Sequence, residues 1–152
     1  MDVFRISKCN FSRDLSGTGA RIYGGRWNSK GLPLLYTAGS RALALLETLV
    51  HVPQKNLPKD LCITIIQLPD DISVQKLNPS DLPKNWRTVP IDSSLQDIGN
   101  EWLKSGATAI LRVPSVIVPE ENNYLINPLH PESEKIKITS SNPFIFDDRL
   151  IQ

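Results

Sequence analysis

The sequence is poor in the residues that most readily announce chemistry. Its 152 residues hold two cysteines, Cys9 and Cys62, and two histidines, His51 and His130. The cysteines stand far apart without C-x-x-C spacing, which excludes a zinc knuckle or a thioredoxin-type motif. Two isolated histidines with no H-E-x-x-H leave no metal site to expect. On this reading the cysteines are reduced thiols and the setting is cytoplasmic. Charge of one sign is also lacking: 17 Lys+Arg against 16 Asp+Glu leave a formal +1, too weak a field for a protein whose main work is gripping a nucleic-acid backbone. No apolar run approaches the roughly 20 residues of a membrane span, and no basic start with an apolar stretch behind it marks an export signal. G-x-G-x-x-G, G-K-[ST] and G-x-S-x-G are all missing, so Rossmann, P-loop and standard serine-hydrolase readings fail.

The composition that remains is that of a globular chain, 40% hydrophobic and 22% charged, sufficient for one core in a single domain over 1–152. Eleven of the 12 prolines fall between Pro53 and Pro143, which favours short strands and turns there and a mixed α+β fold. The pattern predicts an opening strand over 2–6, then a polar loop over 12–25. A buried strand follows over 34–38, with Gly39-Ser40 as turn and N-cap of a helix over 41–51 that Pro53 ends. On the helical wheel Ala42, Leu45, Leu46, Leu49 and Val50 form the apolar face, opposite a stripe of Ser40, Ala44, Glu47, Thr48 and His51. The β-branched run 61–68 reads as a strand covered on both faces. Ser93-x-x-Gln96 reads as a capping box for a second helix, with Leu95, Ile98, Trp102 and Leu103 at helical spacing and Gly106 as C-terminal cap. That helix reads as ordinary packing. Strands over 108–113, 115–118, 124–126 and 135–139 complete the reading, with Pro114 as a bend or an edge.

The densest functional segment is Gly24-Gly25-Arg26-Trp27-Asn28-Ser29-Lys30-Gly31. Two glycines let a backbone approach a ligand closely, and the arginine beside them offers a planar fork of donors suited to two phosphate oxygens. The same residues also suit a tight turn with a surface arginine and a core tryptophan. Tyr36 reads either as a core tyrosine or as a stacking platform. Glu47 reads either as a solvated helix residue paired with His51 or as a carboxylate directed into a cleft. Ser115 follows Pro114 at a bend, where a serine commonly bonds its own backbone.

In order along the chain, Phe4-Arg5, Gly24-Gly25-Arg26-Trp27-Asn28, Gly31, Tyr36-x-Ala38, Leu46-Glu47 with His51, Pro114-Ser115 and Asn127-Pro128-x-His130-Pro131 resemble the RES-domain family, named for an arginine, a glutamate and a serine. Ser105, Ser133, Ser140 and Ser141 compete with Ser115 for the serine position. The resemblance implies a single α+β domain with a mixed, mostly antiparallel sheet, similar to ADP-ribosyltransferases. It also implies the toxin half of a bacterial toxin–antitoxin pair that consumes NAD as substrate, with no further cofactor and no metal. By that likeness Arg26 holds a phosphate of NAD, with Trp27 and Asn28 in the same binding segment. Tyr36 packs against the nicotinamide end, Glu47 sits near the nicotinamide ribose, and Ser115 orients the ligand.

A carboxylate beside that ribose stabilises the oxocarbenium character that grows as the nicotinamide bond breaks, and nicotinamide leaves neutral without a general acid. Water as acceptor makes the protein a NAD glycohydrolase, phosphate a phosphorylase, and a protein side chain an ADP-ribosyltransferase. Net NAD degradation is preferred, with transfer to a host protein or a non-catalytic nucleotide- or partner-binding module as alternatives. The expected partner is a helix-turn-helix antitoxin that occludes the site. DNA contact then comes only through that antitoxin, no membrane is involved, and a homodimer inside the larger complex is compatible with the reading.

Overall fold

The computed structural model describes residues 1–90 and 93–151. Seven strands form one sheet: β1 (Asp2–Lys8), β2 (Leu35–Ala38), β3 (Leu61–Gln67), β4 (Val74–Lys76), β5 (Ile110–Pro114), β6 (Asn122–Ile126) and β7 (Lys137–Pro143), in the order β4-β5-β6-β2-β1-β3-β7. Only β4 and β5 run parallel; every other neighbouring pair is antiparallel. The expected α+β class with a mixed, mostly antiparallel sheet is therefore what forms. Among the described residues three α-helices accompany it: α1 (Thr18–Tyr23), α2 (Arg41–His51) and α3 (Ser93–Ser105).

Strand alternation splits the core in two. On one face Leu111, Val113 and Leu125 pack with Trp27, Leu95 and Trp102, bringing α3 and the segment after α1 onto the sheet. Phe4 and Ala38 extend that face and receive Leu43 and Ala44 of α2. On the other face Val3, Leu35, Ile66, Ile110 and Ile126 pack under Leu68 and Ile136. Both long helices thus cover the same face, and the site develops there.

Ser40 caps α2 as the spacing predicts, accepting from Leu43 N at 3.1 Å. The helix sits on the sheet by the opposite edge from the predicted one. Leu43 and Ala44 are buried, whereas Ala42 and Val50 are exposed. The physical reason is that Glu47, on the Leu43–Ala44 side, finds hydrogen-bond partners on the sheet, which a wheel of hydrophobicity cannot register. Residues 12–25 are not all loop, because α1 forms within them. Residues 115–118 form a turn rather than a strand. The last strand begins at Lys137, since 131–135 wind into a 3-10 turn.

Ser93 is the first residue of α3, not its cap, and Gln96 spends its amide elsewhere; the N-cap position lies outside the described residues. At the other end Gly106 follows the helix at φ 59°, its N–H bonded to the Trp102 carbonyl at 3.3 Å. The two cysteines, expected as separate thiols, are joined by a disulfide. Their 53-residue separation closes to 4.9 Å between Cα atoms because β1 and β3 pair with Ser7 opposite Cys62 and Lys8 opposite Leu61. Among the described residues no helix is long and apolar enough to cross a membrane.

Candidate active site

The glycine-rich segment is a scaffold from which one side chain projects. Gly24 closes α1 at φ +71°, a conformation that favours glycine, and Gly25 N–H turns back to the Asn28 carbonyl at 2.9 Å. A Cβ on Gly25 would stand 2.6 Å from the Tyr36 hydroxyl, so the second glycine is required by close approach. That hydroxyl accepts from Trp27 N at 3.0 Å and donates to Asn28 Oδ1 at 2.7 Å. Burial pushes the Tyr36 phenol well above its usual range, so it stays protonated. Asn28, 0% exposed, donates Nδ2 to the Ala20 and Leu32 carbonyls at 2.8 and 3.0 Å. From α3, Gln96 Nε2 donates to the Gly25 carbonyl at 2.8 Å, and Asn100 exchanges two hydrogen bonds with Ser29 at 2.9 and 2.7 Å.

These contacts correct part of the expected site. Trp27 is 3% exposed and belongs to the core, and Asn28 is wholly buried; both side chains are covered by protein and shape the loop. The Tyr36 hydroxyl is likewise consumed by the loop. The bland reading, a core tryptophan within a tight turn, holds for these residues, while Arg26 remains partly exposed beside them.

Arg26 donates Nη1 to the Trp86 and Thr88 carbonyls at 3.2 and 3.3 Å. Burial lowers its pKa, opposed by attraction to the Glu47 carboxylate and then by Tyr36, and a guanidinium stays charged under such a shift. Among the described residues no carboxylate lies within ion-pair distance of it.

Glu47 Oε1 accepts from Ser115 Oγ at 3.0 Å and from Asn123 Nδ2 at 2.7 Å. Oε2 takes no partner among the described residues, on a side chain that keeps partial exposure. The Ser115 hydroxyl, 0% exposed, also accepts from Ile117 and Val118 N–H, both at 3.1 Å. It is saturated, so the ligand-orienting role expected of Ser115 becomes in this geometry the orientation of the carboxylate. Arginine, glutamate and serine are thus gathered from positions 26, 47 and 115: the turn after α1, the inner edge of α2, and the turn after β5.

His51 does not pair with the Glu47 carboxylate; its Nδ1 donates to the Glu47 backbone carbonyl at 2.6 Å. Phe4-Arg5 and Asn127–Pro131 are structural. Arg41 lies 4.6 Å over the Phe4 ring, Arg5 Nη1 donates to the Phe11 and Asp14 carbonyls at 3.3 and 3.0 Å, and His130 Nδ1 accepts from Glu132 N at 3.2 Å. Asn123 escaped the sequence reading, because an asparagine in a short strand carries no local signal of a partner 76 positions away. Gln96 and Asn100 were equally invisible in a helix read as ordinary packing. A concavity of about 490 Å³ on α3, lined by Asp97, Asn100, Glu101, Lys104 and Ser105, involves none of Arg26, Glu47 or Ser115.

The fold and site define a small α+β protein in which a fixed carboxylate, held by a hydroxyl and an amide, and a partly exposed arginine belong to one side of a mixed sheet. The RES domain model matches residues 2–147, and the chain belongs to the RES-domain family. It is 45% identical over 141 residues to the Prs ADP-ribosylating toxin of Sphingobium sp. (strain YBL2), covering 91% of this chain and 88% of that protein. It is 44% identical over 137 residues to Toxin Res of Yersinia enterocolitica, with 89% of each chain covered. Toxin Res of Pseudomonas putida is 38% identical over 152 residues, covering 99% of each. The crystal structure of the M. tuberculosis MbcT-MbcA toxin–antitoxin complex contains a chain similar in fold, with TM-score 0.77 and 20% identity, over 94% of this chain and 83% of that one.

Proposed function

We propose that the protein is the toxin of a toxin–antitoxin pair and that it cleaves the nicotinamide–ribose bond of NAD. The observation that carries this is the Glu47 carboxylate, fixed through Oε1 by Ser115 and Asn123, with Oε2 unengaged and the Arg26 charge close enough to be felt. A carboxylate held in advance stabilises positive charge developing on the ribose without reorganising when it appears. Arg26, anchored by two backbone carbonyls, binds a phosphate of the same molecule. Nicotinamide departs neutral from a cationic ring, so no proton donor is required. Tyr36, Trp27, Asn28 and Ser115 act by holding Arg26 and Glu47 in place.

Net degradation of NAD, by water or phosphate, is the preferred outcome. The name of the Sphingobium relative, an ADP-ribosylating toxin at 45% identity, favours a second reading in which a protein side chain receives the ADP-ribose. An antitoxin covers the Arg26–Glu47 face in the inactive complex, in keeping with the toxin–antitoxin complex that contains the structural relative. We assign that antitoxin the helix-turn-helix domain and the DNA contact, and the pair a cytoplasmic setting.

Incubation of purified protein with NAD, with and without phosphate, should release nicotinamide. Glu47→Ala, folded as judged by its thermal transition, should lose about a hundredfold or more in rate. Free ADP-ribose identifies hydrolysis, and ADP-ribose recovered on protein identifies transfer. Undiminished release by Glu47→Ala would overturn the assignment.

A further inference from the structure

Residue 87 carries an inference that rests on the NAD reading and deepens it. The two carbonyls that anchor Arg26 belong to Trp86 and Thr88, the residues on either side of Arg87, so both arginines are seated on one short stretch. Trp86 is 7% exposed and pins that stretch into the core. Arg87 Nε donates to the Val116 carbonyl at 2.9 Å, one residue beyond the serine that holds Glu47. The exposed Arg87 side chain therefore spans from the Arg26 anchor to the Glu47 support. Among the described residues it too has no carboxylate within ion-pair distance. Two guanidinium groups tied to one short stretch, neither held in an ion pair among the described residues, suit a ligand that brings two adjacent negative charges, one phosphate to each.

We infer that Arg87 is the second anion contact of the site and selects a diphosphate-bridged dinucleotide over a mononucleotide. Arg26 takes one phosphate of the diphosphate and Arg87 takes the other. Nothing in the primary structure marks this role: residue 87 lies in a turn-rich stretch, 61 positions from Arg26.

The test compares NAD with nicotinamide mononucleotide, which presents the same scissile bond with one phosphate, for the wild type, Arg87→Ala and Arg87→Lys. Calorimetric titration with ADP-ribose, which keeps the diphosphate and needs no turnover, runs alongside. Arg87→Ala should raise KM for NAD and weaken ADP-ribose binding by about tenfold or more. The loss in kcat/KM should be at least about fivefold greater on NAD than on the mononucleotide, with the larger part of the NAD loss in KM rather than kcat. Arg87→Lys should recover part of the loss, because it keeps the charge without the planar fork. Equal losses on both nucleotides would assign Arg87 a merely structural role and overturn the inference, as would unchanged ADP-ribose affinity. A wild type that turns over neither nucleotide yet binds ADP-ribose in an Arg87-dependent way would sink the NAD-cleavage reading and leave the anion contact standing.

Discussion

Gly99→Ala tests whether the site loop is held in place by α3. An ideal Cβ at Gly99 falls on the Trp27 carbonyl oxygen, 2.7 Å from its carbon and 3.2 Å from its Cα, where ordinary contact begins at 3.4 Å. The carbonyl carbon must therefore retreat by about 0.7 Å, the difference between 3.4 and 2.7 Å, and the oxygen further. The helix cannot yield instead, since Leu95 and Trp102 lock it into the core. Overpacking of this kind costs about 1–3 kcal/mol, and alanine in a helix interior returns about 1 kcal/mol relative to glycine. Because the atoms that must give way are backbone, the cost lies at or above the upper end of that range, a net loss of about 2 kcal/mol or more and a Tm lower by about 4–8 °C or more for a chain of this size. Arg26 precedes Trp27 directly, and a displacement approaching 1 Å at a positioning element costs about a hundredfold in rate. The expected signature is a fall in Tm of several degrees or more with a loss of NAD turnover, in the fraction that remains folded, of about two orders of magnitude. Gly19→Ala serves as control, because a Cβ there meets nothing within 4 Å. Wild-type turnover in Gly99→Ala, with its thermal transition intact, would refute the reasoning.

Tyr36→Phe leaves the Trp27 N–H and Asn28 Oδ1 unpaired, a cost of about 1–3 kcal/mol that lowers Tm by several degrees in a thermal melt. Because the folded phenol has a pKa above its unfolded value near 10, its contribution is complete below that pH and fades as pH rises through and beyond it. Alkaline melts should therefore show a decline above about pH 10 that Tyr36→Phe lacks. Asn123→Asp places a second carboxylate against Glu47 Oε1. The amide donor is lost and a like charge is put in its place, so kcat/KM should fall by about tenfold or more in an NAD turnover assay; an unchanged rate would argue against contact between the two side chains. Glu132 is held below its ordinary range chiefly by the Ser73 side chain and then by its backbone N–H. Its contribution is present above the unfolded pKa of about 4.3 and lost as pH falls below it, so Glu132→Gln should flatten the acid decline in Tm.

Local signals were read well where the chain alone decides. The cap at Ser40, the helix behind it and the Gly106 stop follow from side chains bonding or freeing their own backbone within a few residues. That Arg26, Tyr36, Glu47 and Ser115 belong to one neighbourhood was legible only through family likeness, since by residue type and spacing alone each had an equally ordinary structural reading. The facing of α2 was not, because its apolar arc is wide on the wheel while the decisive contacts of Glu47 lie 68 and 76 positions away. Nor was it legible that Trp27 and Asn28 are buried supports, since a tryptophan beside a candidate clamp reads equally well as ligand contact or as core.

By itself the amino-acid sequence determined the α+β class, the positions of β1, β2, β3, α2 and α3, and the order in which arginine, glutamate and serine enter. Periodicity, capping and turn chemistry act over short range and are written in consecutive residues. Only the tertiary structure decided which oxygen of Glu47 is held, that Asn123 and α3 support the site, that Arg26 is seated on the carbonyls flanking Arg87, and that Cys9 meets Cys62. Each depends on strand register and on which helix edge meets the sheet, and these emerge only when distant segments compete to bury apolar surface and satisfy every buried polar group at once.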